Sequence, residues 1–459
     1  GDLDSDIGKS ILSCDDNGPI VMMIVNMTID PAAGPVAIGR LFSGTIKDGQ
    51  TINIIDTKRE GRVQSVNFFM SNIREQVGEL GAGNIPALLG LTEARAGQTI
   101  SSVKDVGLFE PSKYVSEPVV QMAIEPKHPK DLPQLVETLR KLTIEDPNLV
   151  IKIDEETGET IMAGMGVLHL DVAVNLIKDA KIEIITSEPL INYRETILGS
   201  SDAVMAKSPN RHNKIFMAVQ PLEPEIAEMC RDGTLSEMKD KKETAQILRD
   251  HGWEPDVAKK VMRFDSRGNV MINGTKGVQF VDESTDSILS GFEEVMSEGG
   301  LTKEQVRNCK FTFTHFVPHE DTAHRGLSQL GPAARRACLG AFLSAQPMIL
   351  EPMLAIEVRV PTDLIGNVSS VLQGKRGKVL DMQQKGAASI VIGEVPAVET
   401  FDISEKMRGQ TAGKAIWNTH FKAWTPVPKS IGATLLQDIR KRKGLSPDPP
   451  QANEFIDKD

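Results

Sequence analysis

The amino-acid sequence predicts a multidomain protein of β and α/β class: a β-barrel, two ferredoxin-like α+β domains, and a mixed α/β domain. Three observations carry this reading. Residues 1 to about 105 are short apolar strands punctuated by Gly and Asp turns. Residues 116 to about 190 run strand, helix, strand, strand, helix, strand, the order of a ferredoxin-like split βαβ. The same order recurs between Glu351 and Pro428.

In the first domain, residues 19–25 are a continuous apolar strand, 36–46 follow, and Lys47-Asp48-Gly49-Gln50 turns into 51–55. Short strands with such turns suggest a barrel. Gly39 and Gly44 mark a bulge and a turn there. In the second domain, Asp131 is placed to cap a helix that buries Leu132, Leu135, Val136, Leu139 and Leu142 on one face. A hairpin over 149–163 turns at Glu156-Thr157-Gly158-Glu159, and a helix over 168–177 carries His169, read as a packed core histidine. In the repeat, Leu354, Ile356, Val358 and Val360 alternate as a half-buried strand does. A helix, a hairpin over 378–396, a helix over 404–417 and a strand over 421–424 follow. Residues 431–443 read as a helix, and the Pro-rich acidic segment after Gly444 is expected to fray. The expected domains are 1–112, 113–190, 191–349 together with 430–459, and 350–429. Hinges are expected near 106–115, 186–192 and 346–351.

A chain of 459 residues is long enough for about three domains at roughly 150 residues each, with four allowed. The net charge of −11 argues against a generic nucleic-acid coat. Local basic segments remain: 207–214, Arg335-Arg336, Lys375-Arg376-Gly377-Lys378 and Arg440-Lys441-Arg442-Lys443. Each by itself reads first as a solvated surface. No apolar run approaches the roughly 20 residues of a membrane span, and no signal-peptide pattern opens the sequence. Cys14, Cys230, Cys309 and Cys338 are widely separated and form no CxxC pair. A reduced, cytoplasmic chain is expected.

The most informative stretch is His319-Glu320-Asp321-Thr322-Ala323-His324-Arg325-Gly326-Leu327-Ser328-Gln329. It lies between a strand over 311–316 and a helix over 332–344 with Arg335 and Arg336 in its first turn. Polar loops held by rigid flanks are where function concentrates. Read from residues alone, it is a solvent-exposed loop, with Asp321 accepting backbone N–H bonds, or a metal site built on His319, Asp321 and His324. The second reading makes the chain a metallohydrolase, but no further His/Asp cluster is evident to complete it.

The spacing H-x-D-x-x-H-R-G-x-x-Q in this stretch resembles the tip loop of the elongation factor G/elongation factor 2 family of ribosomal translocases, in its archaeal-type branch. Further strings are similar to the same family: Gly39-Arg40-Leu41-Phe42-Ser43-Gly44-Thr45, Glu155-Glu156-Thr157-Gly158-Glu159, Gly164-Met165-Gly166-Val167-Leu168-His169-Leu170, Ser208-Pro209-Asn210-Arg211-His212-Asn213, Asn273-Gly274-Thr275-Lys276-Gly277-Val278-Gln279 and Ile439-Arg440-Lys441-Arg442-Lys443-Gly444-Leu445. The chain departs from the family's usual residues at Val167, at Asn308-Cys309, and at Leu327-Ser328 and Leu330-Gly331.

The resemblance implies a translation-factor barrel (domain II), ferredoxin-like domains III and V, and a decoding-site domain IV. It implies GTP-dependent movement of tRNA and mRNA on the ribosome. It points to His324 as the histidine converted to diphthamide. Arg325, Gly326, Arg211, His212, Asn213 and Lys214 become contacts to RNA in the decoding site, while His319, Asp321 and Gln329 shape the loop. The implied partners are the ribosome (its RNA and stalk-base proteins), the tRNA–mRNA pair and the enzymes of diphthamide synthesis; no membrane is implied, and the chain is expected to be monomeric. A ribosome-binding paralogue without translocase activity is the alternative within the family.

The nucleotide part of such a factor is not legible. A phosphate cradle needs G-x-x-x-x-G-K-[ST], and neither that string nor Asn-Lys-x-Asp occurs. No cofactor or metal is therefore expected in this chain, and GTP and magnesium belong to a GTPase domain of the parent protein. A fluorescent GTP analogue titrated into the purified chain is expected to give no saturable signal.

Overall fold

The computed structural model describes residues 5–30, 33–71, 73–104, 106–107, 109, 117–153, 159–236, 240–386 and 388–458. The turn expected at 156–159 and the hinge expected at 106–115 fall largely outside these residues. The chain forms two compact units, Gly1–Ile191 and Asn192–Asp459.

The first unit opens with a helix, Asp6–Ser13, that strand patterning alone misses. Ser5 caps it, accepting from Gly8 N–H at 3.0 Å. The barrel follows. Its strands are hydrogen-bonded in the order Arg59–Arg62, Thr51–Ile54, Thr99–Ser101, Val21–Asp30, Gly34–Ser43, Ala87–Leu89, Ser65–Met70, Ile73–Gln76. Met22, Ile24, Leu41, Ile52, Val66 and Ile100 fill one core. Gly39 pairs with Ile24 beside a register shift. A Cβ on Gly39 would strike Met23 O, so this is a close-approach glycine, and Gly44 turns at φ +83°.

The ferredoxin-like part of this unit orders its strands Val150–Ile153, Thr160–Gly164, Val120–Pro126, Ile184–Thr186. Helix Leu132–Glu145 buries Leu135, Leu139, Leu142 and Ile144. Leu132 and Val136, expected inward, are exposed: Leu132 overhangs in the first turn, and Val136 is turned about 100° from Leu135. Asp131 stands at the N-cap but makes no capping bond, because a short 3-10 turn leads into the helix. His169 is half-buried and fully bonded: its Nδ1 accepts from Met165 N–H at 3.1 Å, so Nε2–H donates to Asp146 Oδ2 at 2.7 Å. It latches two turns rather than filling the core.

In the second unit, strand Pro347–Pro361 is the spine. Its start pairs with Arg194–Ile197, and most of its length pairs with Ala388–Pro396 and Ile416–Pro426. With Lys378–Lys385 beyond Ala388–Pro396, this gives the second ferredoxin-like strand order. The hinge expected at 346–351 is therefore a continuous strand hydrogen-bonded in both neighbourhoods. Arg376 reinforces it, with Nη1 and Nη2 at 2.8 and 2.9 Å from the two oxygens of buried Glu351 and Nε at 2.8 Å from Glu399. Lys375 pairs with Asp402 at 2.5 Å. Lys375 and Arg376 of this basic segment are thus committed to ion pairs within the protein, and Lys378 is exposed.

The remaining sheet runs Val204–Lys207, Lys214–Pro221, Cys309–Val317, Asn269–Asn273, Val261–Asp265. Asn269–Asn273 and Cys309–Val317 are parallel, with helix Val281–Ser297 as the crossover. That helix packs on Leu327–Ser344, where a Cβ on Gly291 would strike Gly331 O. Val270 and Ile272 join a second core with Ile226, Leu248 and Trp253. All four cysteines are unpaired, and burial pushes the Cys230 thiol up to about 12.

A buried carboxylate organises the segment before Cys309. Glu195 accepts from Leu301 N–H, Thr302 N–H and Glu304 N–H at 2.8, 2.7 and 3.1 Å, and from the Thr302 hydroxyl at 3.0 Å. Burial pushes this carboxyl up, against the pull of those donors. Removing the carboxylate in Glu195→Ala leaves three buried N–H groups unmatched, an expected loss of about 3 kcal/mol or more in chemical denaturation. With the folded-state pKa above its ordinary 4.5, the folded chain binds the extra proton. Its contribution is full below that value and declines as pH rises through the folded-state pKa, a slope expected to vanish in Glu195→Gln.

Candidate nucleic-acid interface

Sheet connectivity brings three loops to one end of the second unit. The turn 208–213 joins Val204–Lys207 to Lys214–Pro221, and Lys214 pairs with Val317, the last residue of the neighbouring strand. The loop that follows Val317 therefore starts beside that turn. Because Asn269–Asn273 runs parallel to Cys309–Val317, its own exit loop, 274–280, emerges at the same end. Gly274 N–H donates to Phe313 O at 2.9 Å.

Asn213 stitches the first two loops. It is fully buried. Its Oδ1 accepts from His319 N–H at 2.9 Å, and its Nδ2 donates to His324 O at 2.8 Å and to Ser208 Oγ at 3.1 Å. Asn210 adds a second seam: its Nδ2 donates to His324 O at 3.2 Å, and its N–H to Gln329 Oε1 at 3.0 Å. Arg211 takes the left-handed conformation (φ +61°) that closes the turn, and is exposed with His212. Lys214 is half-buried at the strand's start.

The second loop is shaped by its own side chains. Asp321 caps a 3-10 turn, Thr322–His324, accepting from Ala323 N–H at 2.9 Å. Its N–H donates to His319 Nδ1 at 3.1 Å. The three tip histidines meet: ring centroids lie 4.6 Å apart for His319–His324, 5.0 Å for His212–His319 and 5.1 Å for His212–His324. The metal reading is not supported. No group of three or more His, Cys, Asp or Glu among the described residues is placed to hold a metal ion, and His319 Nδ1 and Asp321 Oδ1 are occupied by backbone N–H groups.

Helix Leu327–Ser344 begins five residues earlier than the sequence suggests, with Gly326 at its N-cap and Pro332 inside it. Gln329 thus sits in the first helical turn rather than in a loop. Gly326 is exposed, with φ −65° and open space where a Cβ would stand. Arg335 and Arg336, expected in the first turn, lie in the third and pair with Glu294 and Asp457 at 2.5 and 3.1 Å.

Arg325 points inward. Its side chain is 4% exposed, and Nη1 lies 3.3 Å from Glu283 Oε2. Its Cζ sits 4.0 Å over the Phe280 ring. Phe280 itself holds φ +62°, a left-handed conformation costly for a bulky residue. Asn213 and Arg325 are expected RNA contacts that are buried in this conformation: the polar atoms of Asn213 are all engaged inside the protein, whereas Arg325 uses Nη1 on Glu283 and its buried Nε has no hydrogen-bond partner among the described residues. Sequence reading missed Asn210, Phe280 and Glu283 as supports of the tip. Only the parallel pairing that places 274–280 here would have revealed the last two.

Asn213→Ala strands the His319 N–H and weakens the hold on His324 O. Each such loss costs about 1–3 kcal/mol, so hydrogen exchange across 319–326 is expected to accelerate while that of Asn269–Asn273 does not change.

Four family models match successive stretches: elongation factor Tu domain 2 over 34–101, elongation factor G domain III over 115–188, elongation factor G domain IV over 234–346 and the elongation factor G C-terminus over 348–435. Elongation factor 2 of Cenarchaeum symbiosum is 71% identical over 459 residues, 100% of this chain and 63% of the relative. Elongation factor 2 of Sulfurisphaera tokodaii is 46% identical over 462 residues, 99% of this chain and 63% of the relative. That of Saccharolobus solfataricus is 45% identical over 461 residues, with the same coverage of 99% and 63%. The chain spans 63% of the length of these curated relatives. From its barrel to its second ferredoxin-like domain, the chain belongs to the elongation factor G/elongation factor 2 family.

Proposed function

We propose that this chain is the ribosome- and tRNA-contacting part of a GTP-dependent translocase, and that its three-loop tip enters the decoding site. The observation that carries the reading is the tip itself: slender donors and cations on a stiff support. Arg211 and His212 are exposed, His324 is half-buried beside them, and the loops that hold them are cross-linked by Asn213 and Asn210. A codon–anticodon helix is A-form and presents phosphates and 2′-hydroxyls along a shallow minor groove. Reading it without regard to sequence requires positioned donors, not catalytic groups. Asn213 and Arg325 serve this as positioning residues.

Gly326 supports the same reading from the other side. Neither backbone strain nor packing inside the chain calls for glycine there; its N-cap place tolerates glycine but equally takes Ser, Thr, Asp or Asn, and the approach of an outside surface is what a bare backbone adds. His324 is the candidate for diphthamide. Its carbonyl is held by two asparagines, which leaves the imidazole as the part presented to a modifying enzyme. GTP and magnesium would act from a nucleotide domain, since no phosphate-cradling string occurs in this chain. The protein would work in the cytoplasm as a monomer, with the ribosomal RNA, stalk-base proteins, tRNA–mRNA and diphthamide enzymes as partners. The family departures at Leu330 and Gly331 fall on buried helix positions.

The test is a chimera: a relative's elongation factor 2 in which the matching region is replaced by this chain. It is expected to move tRNA and mRNA in a GTP-dependent translocation assay, and a chimera that binds ribosomes without moving them would favour the paralogue. Mass analysis of the His324 peptide from native cells is expected to show the added diphthamide mass. Gly326→Ser keeps a good N-cap, so thermal stability is expected to hold while the translocation rate falls about tenfold, the effect of losing about 1.4 kcal/mol of close contact.

A further inference from the structure

The segment after Gly444, expected to fray, is docked instead. Gly444 at φ +67° ends helix Lys429–Arg442 in a Schellman turn, with Gly444 N–H donating to Lys441 O at 3.1 Å and Leu445 N–H to Arg440 O at 2.9 Å. The chain then returns along the domain to a short turn, Ala452–Glu454, closed by Gln451 N–H on Glu454 Oε1 at 2.6 Å.

Beyond it, Asp457 meets the base of the first tip loop. Strand Val204–Lys207 is the edge of its sheet. Asp457 fills that edge: its N–H donates to Met205 O at 2.9 Å and its Oδ2 accepts from Lys207 N–H at 2.7 Å. The same carboxylate faces Arg336, at 3.1 Å from Nη1 and 3.4 Å from Nη2. Lys207 is the residue before the turn 208–213, and Arg336 lies on the helix whose N-cap closes the other loop. One carboxylate thus ties the root of one tip loop to the helix that anchors the second. The packing agrees: a Cβ on Gly340 of that helix would lie 2.8 Å from Val204 Cγ1 and 3.1 Å from Ile456 Cγ1.

We propose that Asp457 is a positioning residue for the tip. On this view, which rests on the decoding-site reading above, residues 451–458 are a strap that sets the spacing of the two loops, and so of His212 against His319 and His324. An exposed ion pair by itself contributes little. A carboxylate that also receives a backbone N–H at a sheet edge is a charge-assisted bond, and shorter and stronger.

Two variants of the full chain test it. Asp457→Asn keeps the shape and removes the charge. Gly340→Ala keeps every charge and, by bulk, crowds both the edge strand at Val204 and the strap at Ile456. Both are expected to raise hydrogen exchange at 205–213 and 319–326 at least about tenfold, the consequence of losing a charge-assisted bond, with Asn269–Asn273 unchanged. In the chimera, both are expected to lower the maximal translocation rate severalfold and to leave the factor concentration at half-maximal rate unchanged. Asp457→Glu, which retains the carboxylate, is expected to recover part of the rate. Unchanged exchange at the tip in both variants overturns the proposal. So does an equal rise in the central strand, which would mean a general stabilising role. If the tip loosens in both variants but the unsubstituted chimera does not translocate, the strap stands and the decoding-site reading falls.

Discussion

The tip depends on one carboxamide. Asn213 is the last residue of its turn, and its side chain is enclosed between two loops that are more than a hundred residues apart in the chain. An amide offers two donors and one acceptor oxygen, and here both donors and the oxygen are used. No other side chain of that size joins a backbone N–H to a backbone carbonyl at once. Aspartate lacks the donors, and serine lacks the reach. Because Asn213 is fully buried, each unmade bond would cost the full desolvation of the group. At the tip itself the arrangement of His212, His319 and His324 rests on Asn213, and their mutual contact is not specified by any of the three alone.

Around that joint the domain is built so that little gives. The imidazole loop leads directly into helix Leu327–Ser344, with a single capped turn between Asp321 and Gly326. Buried Arg325 braces the loop from beneath, stacked on Phe280 and paired with Glu283. The strained backbone at Phe280 is held by that stack, a local cost borne where the loop must have one shape. Further back, strand Pro347–Pro361 belongs to two neighbourhoods at once, and Arg376 clamps its buried Glu351 from the side. The second unit is thus continuous through a hydrogen-bonded strand at 347–361, where a hinge is expected from sequence.

Charge follows the same logic. Three of the basic segments legible in sequence are partly consumed internally: Arg335 and Arg336 by Glu294 and Asp457, Lys375 and Arg376 by Asp402, Glu351 and Glu399, and Arg440 and Lys443 by the loop around Thr302, while Lys378, Lys441 and Arg442 stay exposed. Arg211 and His212, on the turn, keep their side chains outside. The net charge of −11 opposes diffuse adhesion to polyanions over the rest of the surface.

The sequence by itself determined the class of each domain and the residues of the tip. Period-2 and period-3.6 patterns are local properties, so the barrel strands, both ferredoxin-like orders and the histidine loop could be read directly. The long helix was legible as an element but misjudged in extent, because Pro332 reads as a boundary although the turn before it is helical. Leu132 and Val136 were misplaced because periodicity marks a helix face but not the width of the sheet beneath it. Which tip residues face outward and which are enclosed emerged only from the tertiary structure. Whether Arg325 points outward or toward Glu283 of its own chain depends on which loops share an end of the sheet. That follows from the parallel pairing of Asn269–Asn273 with Cys309–Val317, and from an Asp457 found some 250 residues after Lys207. Such contacts carry no local signature: their partners are distant in the chain, and only closing the fold brings them within hydrogen-bond distance.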